Sequence, residues 1–357
     1  MATFSLDRIS DHGPPKTGDT ITMSIGIRPS AKSNSLKKKK WGKYKIYTNV
    51  SFLTMVIPGA IWLFLFSYLP MPGILLAFKT YHFSMPPADF WIQNKFIYSF
   101  IKSPWAGLSN FEYLTIPTNI STTVMYIRNT IVYNLLFMVV GLVLSVALAV
   151  IIFEIKNRFW AKLYHSVLFL PFFISWIVVA YVVYALGNYN GIINSILSSH
   201  GIAPFEVYKV KAAWPVIFLL ANIWKYTGNG SIIYLAVITS IDRELYEAAA
   251  MDGATKWKQF VHITLPQIMP VIVLLQILAV GRILGSDFDM FYTLPNGAAV
   301  VKNVTNTIDV FVYNMLRTGS PIGFPAAASV LQSVVGFILI LVTNTVVRKT
   351  RPELALF

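Results

Sequence analysis

The sequence predicts an all-α membrane protein with six transmembrane helices, and three observations carry that expectation. Of the 357 residues, 55% are hydrophobic and only 12% are charged, about half the charged fraction usual in soluble domains. Five runs contain no Asp, Glu, Lys or Arg: Ile46–Phe78, Thr130–Phe153, Ser166–Ile202, Ile263–Gly281 and Thr318–Val347. A spanning helix needs about 20 predominantly apolar residues, and lipid offers backbone groups no partner, so each run reads as helix. Much of the net charge of +14 sits in one tail and in short loops beside apolar runs. That placement is the pattern of membrane orientation rather than of a nucleic-acid surface. The absence of cysteine removes disulfides, thiolate catalysis and Cys-based metal sites.

Residues 1–45 read as a disordered basic cytoplasmic tail, with Gly13-Pro14-Pro15 and the run Lys37-Lys38-Lys39-Lys40. No short apolar core follows the start, so a secretory signal peptide is not expected. Residues 46–126 hold the first span, Ser51–Leu69, which should break at Pro70-Met71-Pro72-Gly73. The rest of this region is rich in aromatics (Phe90, Trp91, Phe96, Tyr98, Phe100, Trp105, Phe111, Tyr113) and reads as extracellular interfacial helices and loops. Residues 127–347 hold the remaining spans: Thr130–Phe153, Ser166–Leu186, Ala213–Ile238, Leu265–Leu284 and Gly323–Val347. Glu154, Lys156 and Arg158 read as a solvated loop, and residues 348–357 as a cytoplasmic tail. Six spans put both termini on one side, and the Lys and Arg distribution makes that side cytoplasmic.

Between the fourth and fifth spans lies a polar stretch that patterns as helix, turn, helix. Asp242 can cap the first helix, and Glu244 suits its first turn. Gly253 fits the left-handed position that ends such a helix. Thr255 can cap a second one, and Pro266 sits early in the fifth span, where its missing N–H costs least. The small face Ala248-Ala249-Ala250 admits close approach of another surface. An ordinary chain reversal remains the competing reading.

Glu247, Ala248 and Ala249, then Asp252, Gly253 and Ala254, then Phe260, Ile263, Leu265 and Pro266 resemble the coupling loop of binding-protein-dependent ABC importer permeases. The resemblance implies a type I ABC importer permease fold in a bacterial cytoplasmic membrane. It implies that residues 242–266 dock into a separate ATPase. Two nucleotide-binding subunits carrying ATP and Mg, a second and different permease chain, and an extracellular solute-binding lipoprotein would complete the assembly. Residues 127–347 resemble permeases of the maltose and glycerol-phosphate type. Tyr68-Leu69-Pro70-Met71 and Ser103–Phe111 are similar to a Gram-positive branch handling oligo- or polysaccharides.

No Gly-x-x-x-x-Gly-Lys-Ser/Thr occurs, so this chain is not expected to bind ATP through a P-loop; the resemblance implies a permease and not an enzyme, with no cofactor of its own. The scattered His residues lack metal-ligand spacing. Lys225 lies mid-span, and intramembrane charges face protein or water. With Trp224, Tyr226 and Asn229 it could line a substrate path, or it could pair structurally. Arg282 is a further path candidate, competing with an ion pair to Asp287 or Asp289. An ion-coupled secondary transporter or channel is the alternative function. Such proteins often carry intramembrane acids for ion coupling, and the expected spans hold none. An intramembrane enzyme would need clustered catalytic acids or a metal site, and neither is visible.

Overall fold

The computed structural model describes residues 43–87, 90 and 93–356. Most of the expected disordered tail, including Lys37–Lys40, lies outside these residues. Among the described residues the chain is helical, and the sole strand-like feature is a bridge between Lys79 and Trp105. Two compact units meet at Leu65/Phe66. The first contains α1 (Lys43–Leu63), which starts before the expected Ser51 and carries Pro58 within it. Phe52 to Leu63 are exposed on every side, as suits a helix surrounded by lipid or another apolar surface.

The second unit begins at Phe66. After Pro70 the chain tightens into a 3₁₀ segment, Met71–Phe78, where the sequence left continuation of the helix open. Its helices are α2 (Lys95–Lys102), α3 (Ser109–Glu112), α4 (Pro117–Glu154), α5 (Arg158–Phe169), α6 (Trp176–Gly187), α7 (Ile192–Ser199) and α8 (Ala213–Ser240). They are followed by α9 (Arg243–Met251), α10 (Lys256–Gln259), α11 (Leu265–Gly281), α12 (Phe288–Thr293), α13 (Lys302–Thr305), α14 (Ile308–Arg317) and α15 (Gly323–Thr350).

The aromatic-rich segment folds against the start of α15. Asn110 Nδ2 donates to the carbonyls of Ala77 (2.9 Å) and Lys79 (3.0 Å), and Tyr113 stacks on Phe324 at 4.2 Å. Residues 117–127, expected to be part of this irregular segment, are instead the first turns of α4. Pro117 at the first position supplies the start signal.

α4 and α8 form the most extensive helix pair. Glycines permit close approach to α8: a Cβ on Gly230 would lie 2.6 Å from Ser145 Oγ of α4, and one on Gly228 would lie 2.0 Å from the carbonyl oxygen of Leu168 on α5. Two cores result. One is aromatic, built on Tyr133, Trp176, Trp214, Phe218, Met290 and Phe291. The other is largely aliphatic and adjoins the 242–266 segment, built on Val146, Ala149, Tyr234, Ile238 and Ile268.

Two elements depart from the expected spans. The third, expected as continuous from Ser166 to Leu186, breaks into α5, a 3₁₀ turn (Leu170–Phe173) and α6. Pro171 removes an N–H there, and Ser175 caps α6. The fifth is not set off from α10 by a loop. A π turn, Phe260–Thr264, joins the two, and Leu265 N–H bonds back to Phe260. The wider turn absorbs the N–H that Pro266 lacks.

Among the described residues, five stretches are long and apolar enough to cross a membrane: Phe52–Phe78, Ile120–Glu154, Trp176–Ser199, Lys256–Gly281 and Gly323–Thr350. α8 is 28 residues long and matches the expected fourth span, but Asn222, Lys225 and Asn229 make it too polar to join them.

Candidate coupling hairpin and outer cavity

The 242–266 segment is a hairpin with local causes at each corner. Asp242 accepts from Glu244 N–H at 3.0 Å and opens α9. α9 closes with Gly253 at φ +76°. Gly253 N–H donates to Ala250 and Ala254 N–H to Ala249, at 3.1 and 2.9 Å. These paired bonds satisfy carbonyls that a helix end leaves open. Thr255 then caps α10 through Lys258 N–H.

Side chains brace the hairpin. Tyr246 is buried, with its hydroxyl 2.9 Å from Thr264 Oγ1 and its ring 5.5 Å from Phe153 on α4. Gln259 is also buried and donates to the carbonyls of Tyr246 and Ala254. Lys256 pairs with Glu154 at 2.7 Å, so Glu154, exposed like Lys156 and Arg158, also ties the end of α4 to the hairpin. None of Tyr246, Gln259, Thr264 or Glu154 was legible as a bracing residue, because the first three meet only once the hairpin closes on itself and Glu154 pairs with a lysine 102 residues away.

The motif residues divide by exposure. Glu247, Ala248, Asp252 and Gly253 are exposed, as is Pro266, while Ala249, Ala254, Phe260, Ile263 and Leu265 are half-buried. Met251 and Trp257 stand out at 89% and 71% exposed. The hairpin thus offers solvent a short acidic and apolar ridge on a rigid base.

The mid-span candidates do not converge on one surface. Lys225 is buried, and its ammonium donates to the carbonyls of Phe172 (3.2 Å) and Ile174, which the break in the third span leaves unpaired. It also lies 5.1 Å from the Trp176 ring centre. Neighbouring Tyr226 donates its hydroxyl to Asp287 Oδ2 at 2.6 Å, and Trp176 Nε1 donates to the same oxygen at 2.8 Å. Trp224 is 48% exposed and Asn229 half-buried. Arg282 is exposed at the end of α11. Among the described residues no ion pair joins it to Asp287 or Asp289. The expected pair fails because Asp287 is turned inward to Trp176 and Tyr226.

Beyond α11 the chain is irregular, and α4 satisfies its backbone. Asn129 Nδ2 donates to Asn303 and Asn306, Tyr133 to Val304, and Asn134 to Ile283 and Gly285, all at 2.7–3.1 Å. Non-helical backbone at membrane depth needs such partners. With α6, the segment from α12 to α14 encloses a cavity of about 640 Å³. Tyr181, Tyr184, Tyr292, Asn296, Lys302 and Arg317 are among its walls. It was not legible in the sequence, since its walls come from separate helices. Among the described residues no group of three or more His, Asp or Glu could hold a metal ion.

Residues 141–352, the α4 to α15 frame carrying the hairpin, match the family described as "Binding-protein-dependent transport system inner membrane component". This chain belongs to that family. As such a permease it is a multi-pass protein of the cytoplasmic membrane. It is 29% identical to protein LplB of Bacillus subtilis (strain 168) over 95% of this chain and 98% of that one. It is 31% identical to the polygalacturonan/rhamnogalacturonan transport system permease protein YteP of the same organism, over 89% and 94% of the two chains. Its fold matches a chain of a bacterial ABC transporter involved in import of the acidic polysaccharide alginate. The TM-score is 0.70 and the identity 28%, with 86% of this permease and 98% of that chain covered. The type I ABC permease fold expected from the 242–266 residues is therefore found, without strands among the described residues.

Proposed function

We propose that this permease carries an oligo- or polysaccharide across the cytoplasmic membrane by alternating access, driven by a separate ATPase that grips the 242–266 hairpin. The observation that carries the proposal is the hairpin itself. An exposed ridge of Glu247, Ala248, Met251 and Trp257 stands on a base locked by Tyr246, Gln259 and the Lys256–Glu154 pair. A projecting amphipathic helix suits a groove on a partner. α10 runs through the π turn into α11 without a loop, so force on the hairpin passes directly to a membrane helix. Glu247, Ala248, Ala249, Asp252, Gly253 and Ala254 are the proposed docking residues. Phe260, Leu265 and Pro266 fix the ridge to the membrane helix.

The relatives' names support a saccharide as cargo, and the alginate transporter supports an extracellular binding protein as its donor, since one of its structures includes a periplasmic protein carrying an alginate pentasaccharide. Two ATPase subunits with ATP and Mg and a second permease chain complete the assembly. The five apolar stretches with α8 support six spans and cytoplasmic termini. Affinity purification in mild detergent, with ATPase assay of the eluate, tests this reading. Wild type should recover an ATP-binding protein and a second permease, and Glu247→Arg should lose saccharide uptake. Recovery of a folded, transport-active chain alone would overturn the proposal in favour of a secondary transporter.

A further inference from the structure

The cavity walled by α6, α12 and α14 shares no lining residue with the 242–266 hairpin. It lies beyond the far end of α11 from the hairpin, and so on the outer side. At about 640 Å³ it falls within the range that holds small ligands. Its chemistry is one-sided. Lys302 and Arg317 line it, and no acidic side chain does. Neither has a carboxylate within 4.0 Å among the described residues. Two unneutralised cations in a concave wall concentrate positive potential there.

Tyr292 is held in place. Tyr292 stacks on Phe288 at 5.2 Å and meets the edge of Tyr313 at 4.9 Å. Its hydroxyl accepts from Arg317 Nη1 at 3.2 Å, which fixes the guanidinium. Tyr181 and Tyr184, one turn apart on α6, are 71% and 46% exposed. A turn with consecutive left-handed residues, Asn296 (φ 47°) and Gly297 (φ 70°), shapes the rim. Asn and Gly are residues that accept this geometry.

Guanidinium and ammonium groups recognise carboxylates, and flat aromatic faces pack on the apolar faces of sugar rings. Resting on the importer reading above, we propose that this cavity is an outer subsite for an acidic oligosaccharide. Lys302 and Arg317 meet its uronate carboxylates, and Tyr181, Tyr184 and Tyr292 pack on its rings.

The test measures binding of fluorescent tetragalacturonate and of its fully methyl-esterified counterpart to the purified importer complex, without binding protein. The two probes match in sugar sequence and differ in charge. Wild type should prefer the acidic probe. Lys302→Gln and Arg317→Gln should each lower that preference roughly tenfold, the factor equal to about 1.4 kcal/mol. Lys302→Arg should restore it, and Lys211→Gln, outside the cavity, should leave it unchanged. A ratio between two probes does not depend on how much protein folds. Equal or absent binding of the probes by wild type, or an equal loss in Lys211→Gln, overturns the subsite. The importer reading would then still stand on ATP-driven uptake and the co-purifying ATPase, and failure of those overturns both.

Discussion

Replacing Lys225 by Met removes the ammonium that holds the broken third span while keeping a side chain of similar length. Two carbonyls, those of Phe172 and Ile174, then lose their donor in the interior. An unsatisfied buried acceptor costs about 1–3 kcal/mol, so the pair predicts a loss of roughly 2–6 kcal/mol. Water entering the gap would bring the value to the lower end. At roughly 2–4 °C per kcal/mol for a chain of this order, the melting temperature of the purified complex should fall by several degrees or more. Fluorescence-detected thermal denaturation in detergent reads this directly. Saccharide affinity, measured below the transition, should change little. A melting temperature within a degree of wild type together with lost affinity would refute the structural assignment and make Lys225 a substrate contact.

Three further outcomes follow from the geometry. Gly253→Pro cannot adopt φ +76° and loses the N–H that bonds Ala250, so uptake should fail while ATP hydrolysis continues. Gly253→Asn, which tolerates the left-handed region and meets no atom within 4 Å, should transport nearly normally. Gly336→Val places a Cβ 2.3 Å from the carbonyl oxygen of Gly281. α11 and α15 must then separate, and the yield of monodisperse protein in size-exclusion chromatography should drop sharply, whereas Ser333→Ala on the exposed face should not lower it. Burial pushes the Tyr208 hydroxyl up to about 12 from its ordinary 10. Its neutral form is favoured in the folded chain, so this contribution is complete below pH 10 and is lost as pH rises towards 12. Tyr208→Phe should flatten the fall in melting temperature across that window.

The hairpin was readable because its causes are local: Asp242, Gly253 and Thr255 each act on backbone within three residues. The long apolar stretches were readable for a similar reason, since a run of apolar residues needs no knowledge of its neighbours. The break at Leu170–Phe173 was not. The sequence places Pro171 there, but the donor that makes the break tolerable is Lys225, on another helix. Arg282 misled in the opposite way. Proximity in sequence to Asp287 suggested a pair, yet Trp176 and Tyr226 reach that carboxylate from two other helices. The outer cavity shares the difficulty, because Lys302 and Arg317 mean little until α6 brings its tyrosines opposite them.

α4 has a further consequence. Its 38 residues make a rod about 57 Å long at 1.5 Å per residue, while the hydrocarbon layer is about 30 Å thick. Glu154 at one end is tied to Lys256 of the hairpin. Even tilted by about 20°, such a rod is roughly 20 Å longer than the hydrocarbon layer it crosses. With the hairpin in the cytoplasm, as proposed, the surplus carries the aromatic-rich segment outward, and a donor protein would meet that segment before it meets the bilayer.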